Sequence, residues 1–121
     1  MYNRYNQKGA YIKFEEIKKI IKEGNFVTLR SDSDELFEAV LNTSELEQLA
    51  SRLVKIFGEP VYPSAKKYPF SPEKLAENYG GLMPGQTLYY LEQKESSVLA
   101  MVWPWQDRMN ITFKLINRPV L

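Results

Sequence analysis

Residues 86–117 read QTLYYLEQKESSVLAMVWPWQDRMNITFKLIN, and this stretch decides the fold of the chain. It contains three runs rich in aromatic and β-branched residues, QTLYYLE, SVLAMVW and NITFKLIN. Such residues favour strands, and the runs are separated by QKES and PWQDRM, which have the size of hairpin turns. The stretch therefore predicts a meander of three antiparallel strands. SVLAMVW is apolar on both faces, so we expect it in the interior of the sheet.

The third run, Asn110–Asn117, alternates apolar with polar residues, so we expect one of its faces to be in water. As the last strand of the meander it is also expected at an edge of the sheet. The unpaired backbone groups of an edge strand recruit further strands, and this run is therefore a candidate for pairing two copies of the chain.

Three segments before the meander have the sequence pattern of helices. FEEIKKIIKEG, residues 14–24, places apolar residues at helical spacing and ends at a glycine. NTSELEQLASRLVKIFGEP, residues 42–60, has the same spacing, and its Ser44 and Glu47 match a capping box. SPEKLAENYGG, residues 71–81, has Ser71 as N-cap, and Gly80 follows its last turn.

A hairpin is predicted between the first two helices. Asn25–Arg30 and Leu36–Leu41 have the composition of strands, and the turn-prone SDSDE connects them. A short helix from Asp34 is the alternative for the second segment, because Glu, Leu and Ala are good helix formers.

The predicted order of elements is α-β-β-α-α-β-β-β, which places the chain in the α+β class. We expect a mostly antiparallel sheet of about five strands, a hairpin plus a three-strand meander, with the helices packed on one face. Residues 1–121 are expected to form a single domain. Residues 1–11 are expected to be a flexible arm, and residues 58–70 a long proline-rich loop.

Composition argues against the commonest catalytic chemistries. The chain has 121 residues and a net charge of +1, with no histidine and no cysteine. It therefore lacks the commonest general base, a thiolate nucleophile and the usual zinc ligands. SDSDE does not continue as a calcium loop, and NYGGLMPGQ leads from helix to strand, the reverse of a phosphate loop. We expect neither a metal nor a cofactor, and enzymatic activity is not favoured.

The sequence also gives expectations about location. No window reaches the ~18 apolar residues that cross a bilayer, and the N-terminal segment lacks the apolar core of a signal peptide. We expect a soluble cytoplasmic protein that does not bind membranes. The absence of cysteine together with abundant Lys, Glu and Tyr would suit a thermophilic source.

The two tryptophans flank Pro104, which should end the second strand of the meander. We expect Trp103 to cap the core and Trp105 to lie over the rim of the sheet, in a loop formed by PWQDR. The favoured interpretation is that both indoles are structural. The alternative is a stacking platform for bases or other aromatic rings, with Arg108 beside it.

Basic and aromatic residues interleave in the N-terminal arm and in the proline-rich loop, which is typical of proteins that bind single-stranded nucleic acid. The net charge of +1 speaks against that function. The candidate partner-binding residues are Arg4, Tyr5, Tyr11, Tyr62, Lys66, Lys67, Tyr68, Trp105 and Arg108.

Our leading hypothesis is a small, non-catalytic binding module that contacts another macromolecule or a second copy of itself, as in a homodimer. Charge is unevenly spread, with a net +4 over residues 1–30 and −5 over residues 31–59. Solvated helix faces are the favoured interpretation of this pattern, and attraction between the two regions, within one chain or between two copies, is the alternative. The second hypothesis is binding of single-stranded nucleic acid through the arm, residues 62–68 and Trp105. The third is an enzyme that uses carboxylates and tyrosines.

Overall fold

The computed structural model describes residues 12–94 and 96–119. These residues form a five-stranded antiparallel sheet and three α-helices, which confirms the α+β class and the predicted order of elements. The elements are α1 (Phe14–Ile21), β1 (Thr28–Asp32), β2 (Leu36–Asn42), α2 (Leu46–Phe57), α3 (Pro72–Ala76), β3 (Thr87–Glu92), β4 (Ser96–Pro104) and β5 (Asn110–Pro119). Single 3₁₀ turns precede α2 and follow α3. No helix among the described residues is long and apolar enough to cross a membrane.

The strands lie in the order β1-β2-β5-β4-β3. β4 is interior, as its apolar run predicts. The prediction that Asn110–Asn117 forms an edge is wrong, because β5 pairs with β4 on one side and with β2 on the other, from Leu36 opposite Ile116 to Asn42 opposite Asn110. Joining the hairpin to the meander in this way pairs the backbone groups that each would otherwise leave unpaired. The edges of the sheet are β1 and β3.

The segment 36–42 is a strand, so the alternative of a helix from Asp34 is wrong. Its backbone pairs with strands on both sides, and this pairing overrides the helix propensity of its residues. The preceding strand begins at Thr28 rather than Asn25. The reason is packing: Phe26 leaves the ladder to make an edge-on contact with Phe37, with ring centroids 5.6 Å apart.

The first core lies between one face of the sheet and helices α1 and α2. The apolar stripes of both helices are fully buried there, through residues such as Ile17, Ile21 and Leu53. They pack on alternate residues of the strands, including Phe37 and Phe113, whose rings are 6.3 Å apart. The predicted placement of helices on one face therefore holds for the two longer helices.

The short helix α3 packs on the opposite face of the sheet, where it forms a second core with the proline-rich segment. Leu99 and Met101 of β4 point into this core, whereas Ala100 points into the first. A strand that is apolar on both faces needs cover on both, and α3 with residues 61–70 supplies the second cover.

The helix caps agree with the sequence in one case and differ in the other. Ser71 Oγ accepts a hydrogen bond from the N–H of Lys74 at 3.2 Å, which confirms the predicted N-cap of α3. The capping box of Ser44 and Glu47 is absent. The side chain of Asn42 accepts from the Ser44 N–H at 2.9 Å instead, because the helical path begins with a 3₁₀ turn two residues earlier.

Candidate interaction surface

Five large apolar side chains are substantially exposed among the described residues: Val27, Leu29, Met83, Trp105 and Met109. The strand pairing places four of them toward one end of the sheet, with Leu29 on the face that bears α1 and α2 and Trp105 on the opposite face. We call Val27, Leu29, Trp105 and Met109 the β1 corner. Met83 lies apart from it, in the turn before β3. Apolar side chains that are exposed next to an edge strand are candidates for an interaction site.

Backbone hydrogen bonds define the corner. The N–H of Val27 donates to the carbonyl of Val40 at 2.7 Å, which ties the start of β1 to β2. The carbonyl of Met109 accepts from the N–H of Thr43 at 2.9 Å, which brings the β4–β5 turn to the end of β2. The corner is therefore built from three strands that meet at one end of the sheet.

Trp105 is anchored by its indole nitrogen. Its Nε1 donates to Thr112 Oγ1 at 2.8 Å, so the ring lies across the face of β5. This explains why Thr112, expected in water from the alternation of β5, is only 5% exposed. More than a third of the Trp105 side chain stays in contact with solvent.

Arg30 lies over the Trp105 ring, with its guanidinium carbon 5.8 Å from the ring centroid. The same guanidinium pairs with Glu38 at 3.3 Å. The register of β1 against β2 shifts between Leu29 and Ser31, so Arg30 is the extra residue of a bulge. Bulges re-aim side chains, and this one turns Arg30 toward the tryptophan. The result is a cation and an indole side by side on exposed surface.

Trp103 belongs to the second core rather than to the corner. Its ring lies so close to Gly80 that a Cβ at that position would approach its Cη2 to 2.2 Å. The ammonium of Lys114 lies 4.3 Å from the ring centroid and donates to the Tyr79 carbonyl at 3.3 Å. The buried Nε1 of Trp103 has no hydrogen-bond partner among the described residues. Because Gly80 and Lys114 both lie against the Trp103 ring, the ring does not offer an open face for stacking.

The aromatic residues singled out in the proline-rich segment pack inward. Tyr62 and Tyr68 both lie against the second core. Tyr68 stacks on Phe70, with ring centroids 5.2 Å apart, and Tyr62 pairs with Leu88 at the outer side of β3. The Tyr62–Pro63 peptide bond is cis. Tyr62 and Tyr68 therefore contact residues of the protein itself.

The remaining candidate residues are dispersed. Lys66 and Lys67 are exposed in the proline-rich segment. Arg108 is exposed in the β4–β5 turn with φ of 60°, and its N–H donates to the Trp105 carbonyl at 3.2 Å. Arg4, Tyr5 and Tyr11, together with the expected flexible arm of residues 1–11, lie outside the described residues.

The structure does not bring the 62–68 segment and Trp105 together. Phe70, the stacking partner of Tyr68, contacts Tyr90 with ring centroids 4.8 Å apart. Tyr90 is opposite Leu99 on β4, six residues before Trp105. Six residues of strand span about 20 Å. Among the described candidates, Trp105 and Arg108 are joined by a backbone hydrogen bond at one end of the sheet.

Sequence reasoning missed the other members of the corner, Val27, Leu29 and Met109, and it missed Arg30. These residues stand in VTLR and DRM, which read as ordinary strand and turn. Only the position of β1 at the edge of the sheet leaves its apolar residues exposed. Once that position is known, the alternation of Val27 and Leu29 in the strand gives their common face.

The acidic residue that ends β1, Asp32, forms salt bridges with two lysines of the N-terminal helical segment. Asp32 pairs with Lys18 at 2.8 Å and with Lys22, and these hydrogen bonds lower the pKa of its carboxyl. Burial would lower the pKa of the Lys18 ammonium, but its bonds to Asp32 and Glu15 outweigh burial and raise it. The described residues contain no group of three or more acidic side chains placed to hold a metal ion.

We compared the chain with protein-family models, with curated proteins and with solved structures, and none of the three comparisons gave a significant match. Its function must therefore be inferred from its own surface. The feature that stands out on that surface is the β1 corner, where an exposed indole, a cation and apolar side chains adjoin a strand edge.

Proposed function

We propose that this protein is a non-catalytic interaction module that binds another protein chain along β1 and over the β1 corner. One observation carries the proposal: Val27 and Leu29 are more than half exposed at the edge strand, and Trp105 and Met109 are exposed in the β4–β5 turn toward the same end of the sheet. An extended segment added to a sheet edge gains backbone hydrogen bonds, and apolar residues at alternate positions give it specificity.

The exposed fractions indicate what a partner would cover. Val27 is 63% exposed, Leu29 57% and Met109 62%. Fully burying one such side chain contributes about 1.5–3 kcal/mol, so covering the exposed part of each contributes about 1–2 kcal/mol before the cost of association. Trp105 adds an aromatic side chain that is already held in position by Thr112. Such preordered aromatic residues are frequent binding hot spots.

The shifted pKa values in the β4–β5 turn and in the two cores have local structural causes. Asp107 accepts hydrogen bonds from the N–H groups of Met109 and Asn110, which lower its pKa and order the β4–β5 turn. Burial raises the pKa of Tyr89 and Tyr90 within the two cores. Each of these shifts has a structural cause within a turn or a core.

Selection of peptides from a random display library tests the proposal. We expect the selected peptides to have apolar residues at alternate positions and to lose at least about tenfold in affinity for a Leu29→Lys variant. Met83→Lys is the matched control, since Met83 is 61% exposed but lies outside the corner. Peptides that bind the Leu29→Lys and wild-type proteins equally would show that β1 is not the binding surface.

Single-stranded nucleic acid is a second candidate partner, supported by the exposed Trp105 with Arg30 over its ring and Arg108 bonded to its carbonyl. Stacking of one base on an aromatic side chain contributes about 1–3 kcal/mol. Titration of intrinsic fluorescence with short oligonucleotides tests it. Saturable quenching that weakens log-linearly with salt and disappears in Trp105→Ala is expected for this function. An anisotropy titration with labelled oligonucleotide that shows no binding would contradict this function.

A further inference from the structure

We infer that the protein chain bound at β1 is a second copy of this protein, and this inference rests on the proposed function. Two β1 strands pair antiparallel around a two-fold axis at Thr28, so that two five-stranded sheets become one sheet of ten strands. The argument comes from the edges of the sheet, from the side chains of β1 and from the distribution of charge.

The two edge strands differ in whether other residues hydrogen-bond to their outer sides. At β3, the N–H and the carbonyl of Leu88 both bond outward to Tyr62, at 2.9 and 3.3 Å, and the Val61 N–H shares that carbonyl at 2.9 Å. The proline-rich segment thus covers part of this edge. At β1, no strand in residues 12–94 or 96–119 pairs with the outer side. An edge without a strand partner among these residues is a template for another strand, and β1 is that edge.

The side chains of β1 are complementary to themselves. With the axis at Thr28, Val27 lies opposite Leu29 of the partner subunit, and the reverse contact repeats it. Both apolar side chains of each copy, which are more than half exposed in the single chain, are then covered on one face. An axis at Arg30 would place two guanidinium groups opposite each other, which is unfavourable. An axis at Leu29 would leave Val27 opposite a serine.

Charge favours the same antiparallel arrangement. The β1–β2 turn carries Asp34 and Glu35, which are exposed and make no salt bridge with any described residue. Arg30 lies in the middle of β1 and pairs with Glu38, whereas exposed Arg108 is in the β4–β5 turn, toward the end of the sheet where β1 begins. A two-fold axis brings the acidic end of each copy beside the basic end of the other. Exposed charges interact over a Debye length of about 10 Å at 0.1 M salt, so dimerisation should weaken as salt is raised.

Sedimentation velocity from about 1 µM to about 1 mM protein measures the association. A five-residue strand makes a small interface, so we expect a dimer in the micromolar range or weaker. Leu29→Lys, present twice in each dimer, should raise the dissociation constant by about 100-fold, whereas Met83→Lys should leave it unchanged. Both positions are exposed, and circular dichroism should show that both variants fold. A wild-type protein that stays monomeric throughout this range would overturn the inference.

A single cysteine tests the register, because the chain contains none of its own. Residues directly opposite in an antiparallel pair have Cα atoms about 4.5–5.5 Å apart, a separation that a disulfide spans. Thr28→Cys, treated with oxidised glutathione, should therefore form a covalent dimer at least about tenfold faster than Met83→Cys. Equal rates for the two variants would overturn the two-fold axis at Thr28.

The two proposals fail in distinguishable ways. A monomer whose selected peptides still lose affinity in Leu29→Lys would retain the interaction module and refute the second copy as its partner. A dimer that is unaffected by Leu29→Lys, with peptides also unaffected, would refute both the inference and the proposed surface. A dimer lost in Leu29→Lys, together with rapid cross-linking at Thr28→Cys, supports both.

Discussion

Replacing Gly80 by alanine should destabilise the fold, because the new side chain would collide with Trp103. Gly80 has φ of +105°, and a Cβ built on it would lie 2.2 Å from Cη2 and 2.7 Å from Cζ2 of that ring. Real Cβ contacts essentially never fall below 3.0 Å, so the ring or the turn would have to move. Lys114 lies against the same ring, and the surrounding residues are packed in the second core.

The magnitude follows from two separable costs. A positive φ costs a non-glycine residue about 1 kcal/mol. Overpacking against a buried side chain adds about 1–3 kcal/mol. Gly80→Ala should therefore lose about 2–4 kcal/mol, which lowers Tm by about 6–20 °C in a domain of this size. Gly85 provides the control, because its φ is +89° but nothing lies within 4 Å of its Cβ position. Gly85→Ala should lose only about 1 kcal/mol.

Guanidinium unfolding followed by far-ultraviolet circular dichroism measures both losses, and tryptophan fluorescence reports the displacement of the ring. The difference between the two variants isolates the contact between Gly80 and Trp103. Equal losses in Gly80→Ala and Gly85→Ala would refute the placement of Trp103 in the second core. In that case the indole would have to be reconsidered as part of an open surface.

Three further perturbations test other parts of the structure. The side chain of Gln93 hydrogen-bonds to both the N–H and the carbonyl of buried Ile12, at 2.9 and 2.8 Å. Gln93→Leu should therefore lower the free energy of unfolding, measured in urea, by about 2–4 kcal/mol. A decrease below about 1 kcal/mol would contradict these hydrogen bonds. Hydrogen bonds from Lys18 and Lys22 lower the pKa of Asp32. The ionised carboxylate therefore stabilises the fold at pH values above the ordinary aspartate pKa near 4, and this contribution is lost as pH falls through the lowered pKa. Asp32→Asn should therefore flatten the acid limb of a stability–pH profile, and an unchanged limb would refute the pairing. Trp105→Phe removes the indole hydrogen bond and should lower stability by about 1 kcal/mol in thermal unfolding, whereas no change would place the indole in water.

The elements of this fold follow from periodicity and turn residues, but their arrangement does not. Alternation in β5 identifies a strand and its two faces, yet it does not say which strands lie beside it. The position of β2 alongside β5 is a long-range contact, and it makes β1, rather than Asn110–Asn117, an edge strand of the sheet. Similarly, the two apolar faces of β4 require cover on both sides, but they do not specify that α3 supplies the second.

The candidate surface was predictable only in part, for the same reason. Trp105 and Arg108 stand in a proline-interrupted turn, where exposed residues are expected. Val27 and Leu29 look like ordinary strand residues, and their exposure depends on the order of the strands. Arg30 reaches the indole through a bulge, which leaves no distinct signal in the sequence.

Amide hydrogen exchange of residues 28–32, measured at low and at high protein concentration, tests most directly whether β1 is the docking edge for a second copy. We expect the outward-facing amides of β1 to exchange more slowly at high concentration, while the amides of β3, the opposite edge, are unaffected. Exchange in β1 that is independent of concentration, in a protein that nevertheless dimerises, would place the interface elsewhere and contradict the proposal.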